Sequence, residues 1–211
     1  MVNFTDQLNF ITFAVKFYAV NIIFRTFMRV CNLMLYPAKE WKLIAAENHS
    51  RKTVYVQYVV PLLCLITIAI ITGTWLATSR EKYSGAYVLR TIAIMWTSLS
   101  AGLYLSAFVI NEIMAHQTGT KNHKNSFVLM AYASGAAYLV IAIVALFPFF
   151  NELIVLAFYS CYLYWQGISQ LIQIEGQKKM IYGILSFIIA VLVYFLAFFF
   201  FGNVFEAMVS G

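Results

Sequence analysis

The chain has 211 residues, of which 63% are hydrophobic, 18% aromatic and only 10% charged, whereas an ordinary soluble domain carries about 25% charged residues. That balance excludes a soluble enzyme, and at about 20 apolar residues per span the length is used up by five or six membrane helices and short loops. The net charge of +6 does not signal nucleic acid, because no basic helix with interleaved stacking aromatics gathers the cations.

The first 35 residues carry two polar stripes at about 100° per residue. Thr5, Asn9, Thr12 and Lys16 form one, and Asn21, Arg25, Arg29 and Asn32 form the other. Such stripes suit an amphipathic helix lying in the membrane interface, with Phe24, Phe27, Val30, Cys31, Met34 and Leu35 dipping into the acyl boundary. Arg25 and Arg29, with Lys39 and Lys42 further on, are then candidate contacts for anionic lipid head groups. The alternative is that residues 8–24 add a sixth span. No cleavable signal peptide is expected, because the apolar stretch is interrupted by Lys16 and Asn21 and no small-residue cleavage site follows.

Five apolar runs follow, at Gln57–Ser79, Ala86–Ala115, Phe127–Phe150, Leu153–Ile174 and Met180–Gly202. Each is long enough to cross a bilayer. The expected architecture is therefore all-α: a polytopic bundle of five transmembrane helices preceded by an interfacial amphipathic helix. Residues 1–56 are the cytoplasmic or interfacial part, 57–202 the five-span domain and 203–211 a short tail. Pro148 cannot continue a helix and Asn151 can cap the next, so the third and fourth spans should form a tight hairpin.

Lys and Arg concentrate before the first span and in the second-to-third and fourth-to-fifth loops, as Lys121, Lys124, Lys178 and Lys179 illustrate. Positively charged loops stay on the cytoplasmic side, which predicts a cytoplasmic N-terminus and a C-terminus outside. The glycosylation-type triplets Asn3-Phe4-Thr5 and Asn48-His49-Ser50 fall on that cytoplasmic side and would be unused.

Polar groups within spans are candidates for function. On the second span, Thr91, Ser98, Gly102, Ser106 and Glu112 share an arc of about 120°, and the Ser98-Gly102-Ser106 spacing favours close helix packing. Glu112 can pair with Lys121 or Lys124, Arg90 can snorkel to head groups, and Glu152 opposes a helix dipole in the first turn of the fourth helix. On the fourth span Tyr159, Tyr162, Gln166, Ser169, Gln170 and Gln173 form a polar stripe expected to face the bundle, since amides and phenols need partners where water is absent. Arg90, Ser98, Glu112, Glu152, Tyr162, Gln166 and Gln170 are thus the candidate intramembrane polar or transport residues. Cys31, Cys64 and Cys161 read as packing residues, and His49, His116 and His123 lack ligand spacing. No metal, cofactor or catalytic residue is expected.

Several landmarks, taken in order, resemble the Yip family, the Ypt/Rab-interacting type of membrane domain, in its compact bacterial branch. Leu35-Tyr36-Pro37 followed by Glu40-Trp41 and Ile44 is similar to the family's opening, and Tyr58-Val59-Val60-Pro61-Leu62 to its first-span entry. Ala131-Tyr132-Ala133-Ser134 resembles its third-span start, Leu146-Phe147-Pro148 the turn that follows, Tyr159 through Ile168 the fourth span, and Lys179 with Tyr182-Gly183 the last entry. The family pattern has a proline in the third span where this chain reads Ser134-Gly135-Ala136-Ala137, and another before the last span where it reads Glu175-Gly176-Gln177.

The resemblance implies a non-enzymatic membrane protein acting through protein or lipid partners, in the bacterial inner membrane. In eukaryotic relatives it implies endoplasmic reticulum and Golgi membranes and small GTPase partners, although this chain lacks their long polar N-terminal region. The rival is a small transporter or channel with a polar path between spans two and four. A third reading is a membrane-shaping protein whose N-terminal helix wedges one leaflet.

Overall fold

The computed structural model describes residues 21–76, 85–172 and 176–210, with the side chains of 117, 118, 176–179, 209 and 210 excepted. The expected stripe at Thr5, Asn9, Thr12 and Lys16, most of the 8–24 segment, Arg80, Lys82, Gln173, the Lys178 and Lys179 side chains and Gly211 lie outside the described residues. Every regular element among the described residues is helical.

Residues 21–35 form α1. Pro37, at the first helical position where its missing N–H costs nothing, opens α2 (Pro37–Glu47), which Asn48 ends with a left-handed φ of 50°. Ser50 then accepts from the Thr53 amide to start α3 (Arg51–Leu76). Pro61 removes one rung of that helix, leaving the Gln57 carbonyl without its usual donor. The chain answers with a π turn at Tyr55–Val59, and the Thr26 hydroxyl of α1 donates to the Gln57 oxygen at 2.8 Å.

After α4 (Gly85–Thr118), Asn122 caps the start of α5 (His123–Leu146) by accepting from the Asn125 amide. α5 is the most buried of the long helices. Its ladder breaks at Ser134, the first residue of the Ser134-Gly135-Ala136-Ala137 stretch. The Ser134 hydroxyl folds back on the Met130 carbonyl, and the Ala137 amide is received instead by the Ser160 hydroxyl at 3.1 Å. A break therefore exists without proline. The adjacent Gly135 is required, since a Cβ there would lie 2.0 Å from the Tyr58 hydroxyl.

The predicted fourth span is composite. A 3-10 segment, Pro148–Phe158, starts at the proline and bends at Phe150 (φ −106°, ψ 38°), and α6 (Tyr159–Leu171) continues it. The tight hairpin is present, but the cap position is Phe147, without a side-chain cap, and Asn151 lies inside the helical stretch. Finally α7 (Gly176–Ser210) runs past residue 202, where the tail was expected to begin.

Four of these helices, α3, α4, α5 and most of α7 (Met180–Met208), are long and apolar enough to cross a membrane. The chain is thus an all-α bundle of membrane helices. α7 packs most extensively on α4, the second half of α5 on α3, and the first half of α5 on α4 and α6. One end gathers α1, α2 and the 119–125 loop: Lys124 bonds Asn48, Lys121 pairs with Glu112, and the Asn125 amide reaches the Leu171 carbonyl. We call it the basic end. At the opposite end Arg90 of α4 faces Glu206 of α7.

Candidate functional site

At the basic end, α1 and α2 meet through a charged cluster. Arg29 lies in an ion pair with Glu40 at 2.9 Å and donates to Glu47 at 2.5 Å. Its guanidinium also sits over the Tyr132 ring, 5.7 Å from the centroid, in the arrangement that favours a cation over an aromatic face. Burial opposes the charge on Arg29, but the hydrogen bond to Glu47 and the neighbouring Tyr132 and carboxylates outweigh it, so its pKa stands above the ordinary arginine value. Glu40 is only 5% exposed; a carboxylate in such a place is retained charged only when paired.

Beside Glu40, Trp41 is fully buried in the seam between α2 and the bundle. Its ring meets Tyr132 edge-on with centroids 6.4 Å apart, and Gly167 of α6 provides the space, since a Cβ there would approach Trp41 to 2.7 Å. Among the described residues the indole N–H has no hydrogen-bond partner. Tyr58 stacks obliquely on Tyr132 at 4.3 Å and its hydroxyl reaches the Tyr132 carbonyl at 3.5 Å, next to the α5 break. A cavity of about 270 Å³ opens against Arg29, Glu47, Tyr58 and Tyr132.

Arg29, expected among the head-group contacts, is thus turned into this cluster, whereas Arg25, Lys39 and Lys42 are exposed. Among the described residues Arg25 makes no ion pair. Arg90 pairs with Glu206 at 3.6 Å. Glu112 accepts from Lys121 at 2.6 Å, and the Asn111 amide bridges it to His123. Glu152 is exposed.

The small face of α4 is a packing face. Ser98 is buried, Ser106 donates to the Ala190 carbonyl of α7 at 3.2 Å, and a Cβ on Gly102 would meet the Tyr194 ring at 2.4 Å. The α6 polar stripe, expected to face the bundle, is divided: the Tyr159 hydroxyl donates to the Met34 carbonyl of α1 at 2.8 Å, while Tyr162 and Gln170 face outward. Tyr162 is 43% exposed, Gln170 is exposed, and Gln166 donates to the Tyr162 hydroxyl. The buried face of α6 is Ser160, Leu163, Tyr164, Gly167 and Ile168. The two faces proposed to line a path between spans two and four therefore do not face each other.

Beside Ser98 and Ser106, the interior holds polar links from residues that spacing did not single out. The Tyr138 hydroxyl donates to the Leu99 carbonyl and contacts the Tyr194 hydroxyl, which Ser134 also reaches, joining α4, α5 and α7. Tyr164 and Ser186 make a second such link at 2.6 Å. Isolated tyrosines in apolar runs carry no periodic signal. No group of His, Cys, Asp and Glu among the described residues could hold a metal.

A family model described as the Yip1 domain matches residues 31–199. Neither a curated protein nor a solved structure matches the chain.

Proposed function

Because the chain belongs to the Yip1 domain family, we propose that this integral membrane protein is not an enzyme and works by presenting the α1–α2 platform at its basic end to a protein partner. The observation that carries this reading is the cluster of Arg29, Glu40, Glu47 and Trp41, which fixes two short helices on the bundle. Docked in this way, α2 turns Leu43, Lys39 and Lys42 outward, as a mixed apolar and basic surface. The family association with small GTPases supports a partner of that general kind where such proteins exist.

The positive-inside rule supports a cytoplasmic placement for this end, and the resemblance to the family's compact bacterial members supports an inner membrane. Crosslinking from position 43 in the native membrane tests the proposal. A specific protein adduct should appear in the wild type and weaken in Trp41→Ala, which loosens α2, while the bundle remains inserted. The transport reading makes the opposite demand: purified protein in liposomes would have to carry a solute or ion, with flux abolished by Glu112→Gln or Gln166→Leu. Such flux, without any adduct, overturns the platform reading.

A further inference from the structure

The ends of α4 and α6 and the start of α5 enclose a cavity of about 210 Å³ at the basic end, with no residue of α1 or α2 among its described walls. Asn111 and Ser126 line it although they are only 2% and 3% exposed. Local bonds fix which way its amides point. Asn111 Nδ2 lies 3.4 Å from the Glu112 carboxylate and 3.4 Å from His123 Nε2. A carboxylate only accepts, so the amide nitrogen faces it and Oδ1 is the free atom. Asn125 uses its Nδ2 on the Leu171 carbonyl at 2.8 Å, which again leaves Oδ1. The Ser126 hydroxyl has no hydrogen-bond partner among the described residues. Three side-chain oxygens from two helices are thus left with unfilled lone pairs around one hollow, beside the last carbonyls of α6.

An acceptor-rich wall selects a donor or a cation, since buried oxygens without a partner cost free energy. The helices favour the cation. α4 and α6 both end here, and each C-terminus carries about half a negative charge; the α5 N-terminus is the opposing pole, and Asn122 caps it. The lysines of the adjoining loop are engaged elsewhere, Lys121 by Glu112 and Lys124 by Asn48. No described lining residue is charged, so a divalent ion, which draws on carboxylates, would stay uncompensated. We propose that the cavity binds one alkali-metal cation, sodium or potassium, through Asn111 Oδ1, Asn125 Oδ1 and Ser126 Oγ at the carbonyl end of α6. Neutral carbonyl oxygens and helix C-termini are what hold such ions in membrane proteins generally, and they need none of the His, Cys and carboxylate groups that a transition metal asks for. The Glu112 carboxylate, behind the Asn111 amide, polarises that amide toward the cavity. At about 30 Å³ per water the volume keeps part of the ion's hydration shell, which makes a weak, millimolar site. The site needs no protein partner and does not rest on the platform reading.

The test is thermal unfolding of the full chain in nanodiscs, with N-methylglucamine chloride replaced stepwise by sodium or potassium chloride at constant ionic strength. Wild-type protein should melt higher by a saturable increment, and the salt that achieves it at lower concentration names the ion. Ser126→Ala, nearly isosteric, should keep the fold and raise the half-saturating concentration about fivefold, on the scale of one lost polar contact. Asn125→Leu should abolish the increment. Asn203→Ala, which removes an amide at the opposite end, should leave it unaltered. Broadening of the sodium-23 resonance by the protein, relieved in Ser126→Ala, provides a readout that does not depend on stability. No saturable increment in either salt, an unchanged half-saturation in Ser126→Ala, or tighter binding of calcium than of either alkali ion would overturn the site. So would a saturable rise with glycerol and none with salt, which assigns the cavity to a neutral polyol.

Discussion

Arg29 illustrates how a side chain can be read correctly for its charge and incorrectly for its direction. In the sequence it belongs to a basic stripe, and its partners, Glu40 and Glu47, lie 11 and 18 positions away, across a chain reversal at Tyr36-Pro37 that helical periodicity does not reach over. Only the resemblance drew notice to Glu40-Trp41, and it gave no partner for either. Replacing Glu40 by Ala leaves Arg29 half-buried with Glu47 alone. The cost should fall below the roughly 3–5 kcal/mol of breaking a fully buried pair, because one carboxylate remains; a lowered melting temperature in detergent, with faster amide exchange confined to α1 and α2, would register it. Loss of stability spread evenly over the bundle would show that the cluster is not what docks these helices. Thr26→Val is the subtler change. It should cost about 1 kcal/mol, since the Gln57 carbonyl left over by Pro61 loses its donor, and Thr26→Ser should restore most of it.

Among elements, the second span was the most legible. Three small residues at four-residue spacing can only be useful where another backbone comes close, and α7 does come close there. Gly102→Ala should destabilise the bundle by about 1–3 kcal/mol, the usual range for forcing a methyl into a packed core. The obstacle is the body of the Tyr194 ring, whose hydroxyl is tied to Ser134 and Tyr138 and so resists moving aside. Thermal unfolding of the variant, with Gly202→Ala as the control at a glycine with open space around it, decides the matter. The fourth span was misread because periodicity defines faces without saying which one is inside. The 3-10 segment also rises about 2.0 Å per residue instead of about 1.5 Å. That extra rise carries Gln166 and Gln170 towards the basic end, where interfacial water and head groups can satisfy amides, and the burial demand that seemed to force them inward disappears. The break in α5 was hidden for a different reason: it is made by a serine hydroxyl and a partner on another helix, Ser160, and no local pattern announces such a pair.

For the molecule as a whole, the number of crossings decides where the two termini lie. α3, α4, α5 and α7 qualify as spans on length and composition, and if they alone crossed, both termini would face the same compartment. The intervening stretch from Pro148 to Leu171 starts beside the far end of α5 and finishes at the basic end, where the Leu171 carbonyl meets Asn125. Its mixed 3-10 and α geometry gives a reach of roughly 40 Å, more than the ~30 Å of the hydrocarbon core. Its outward groups, among them Phe149, Val155 and Phe158, are apolar. We propose a fifth crossing along that path, which would put the two termini on opposite sides of the membrane. Single cysteines at Phe149 and at Lys121 provide the measurement, after the three native cysteines are replaced. On the orientation proposed from the positive-inside rule, an impermeant maleimide added to intact cells should label position 149 and spare 121. A cysteine at Ala207 in α7 should behave like 149. Labelling at 207 only after the cells are opened, with 149 still reached from outside, would mean that the chain crosses four times and that the Pro148–Leu171 stretch lies along the membrane instead of through it.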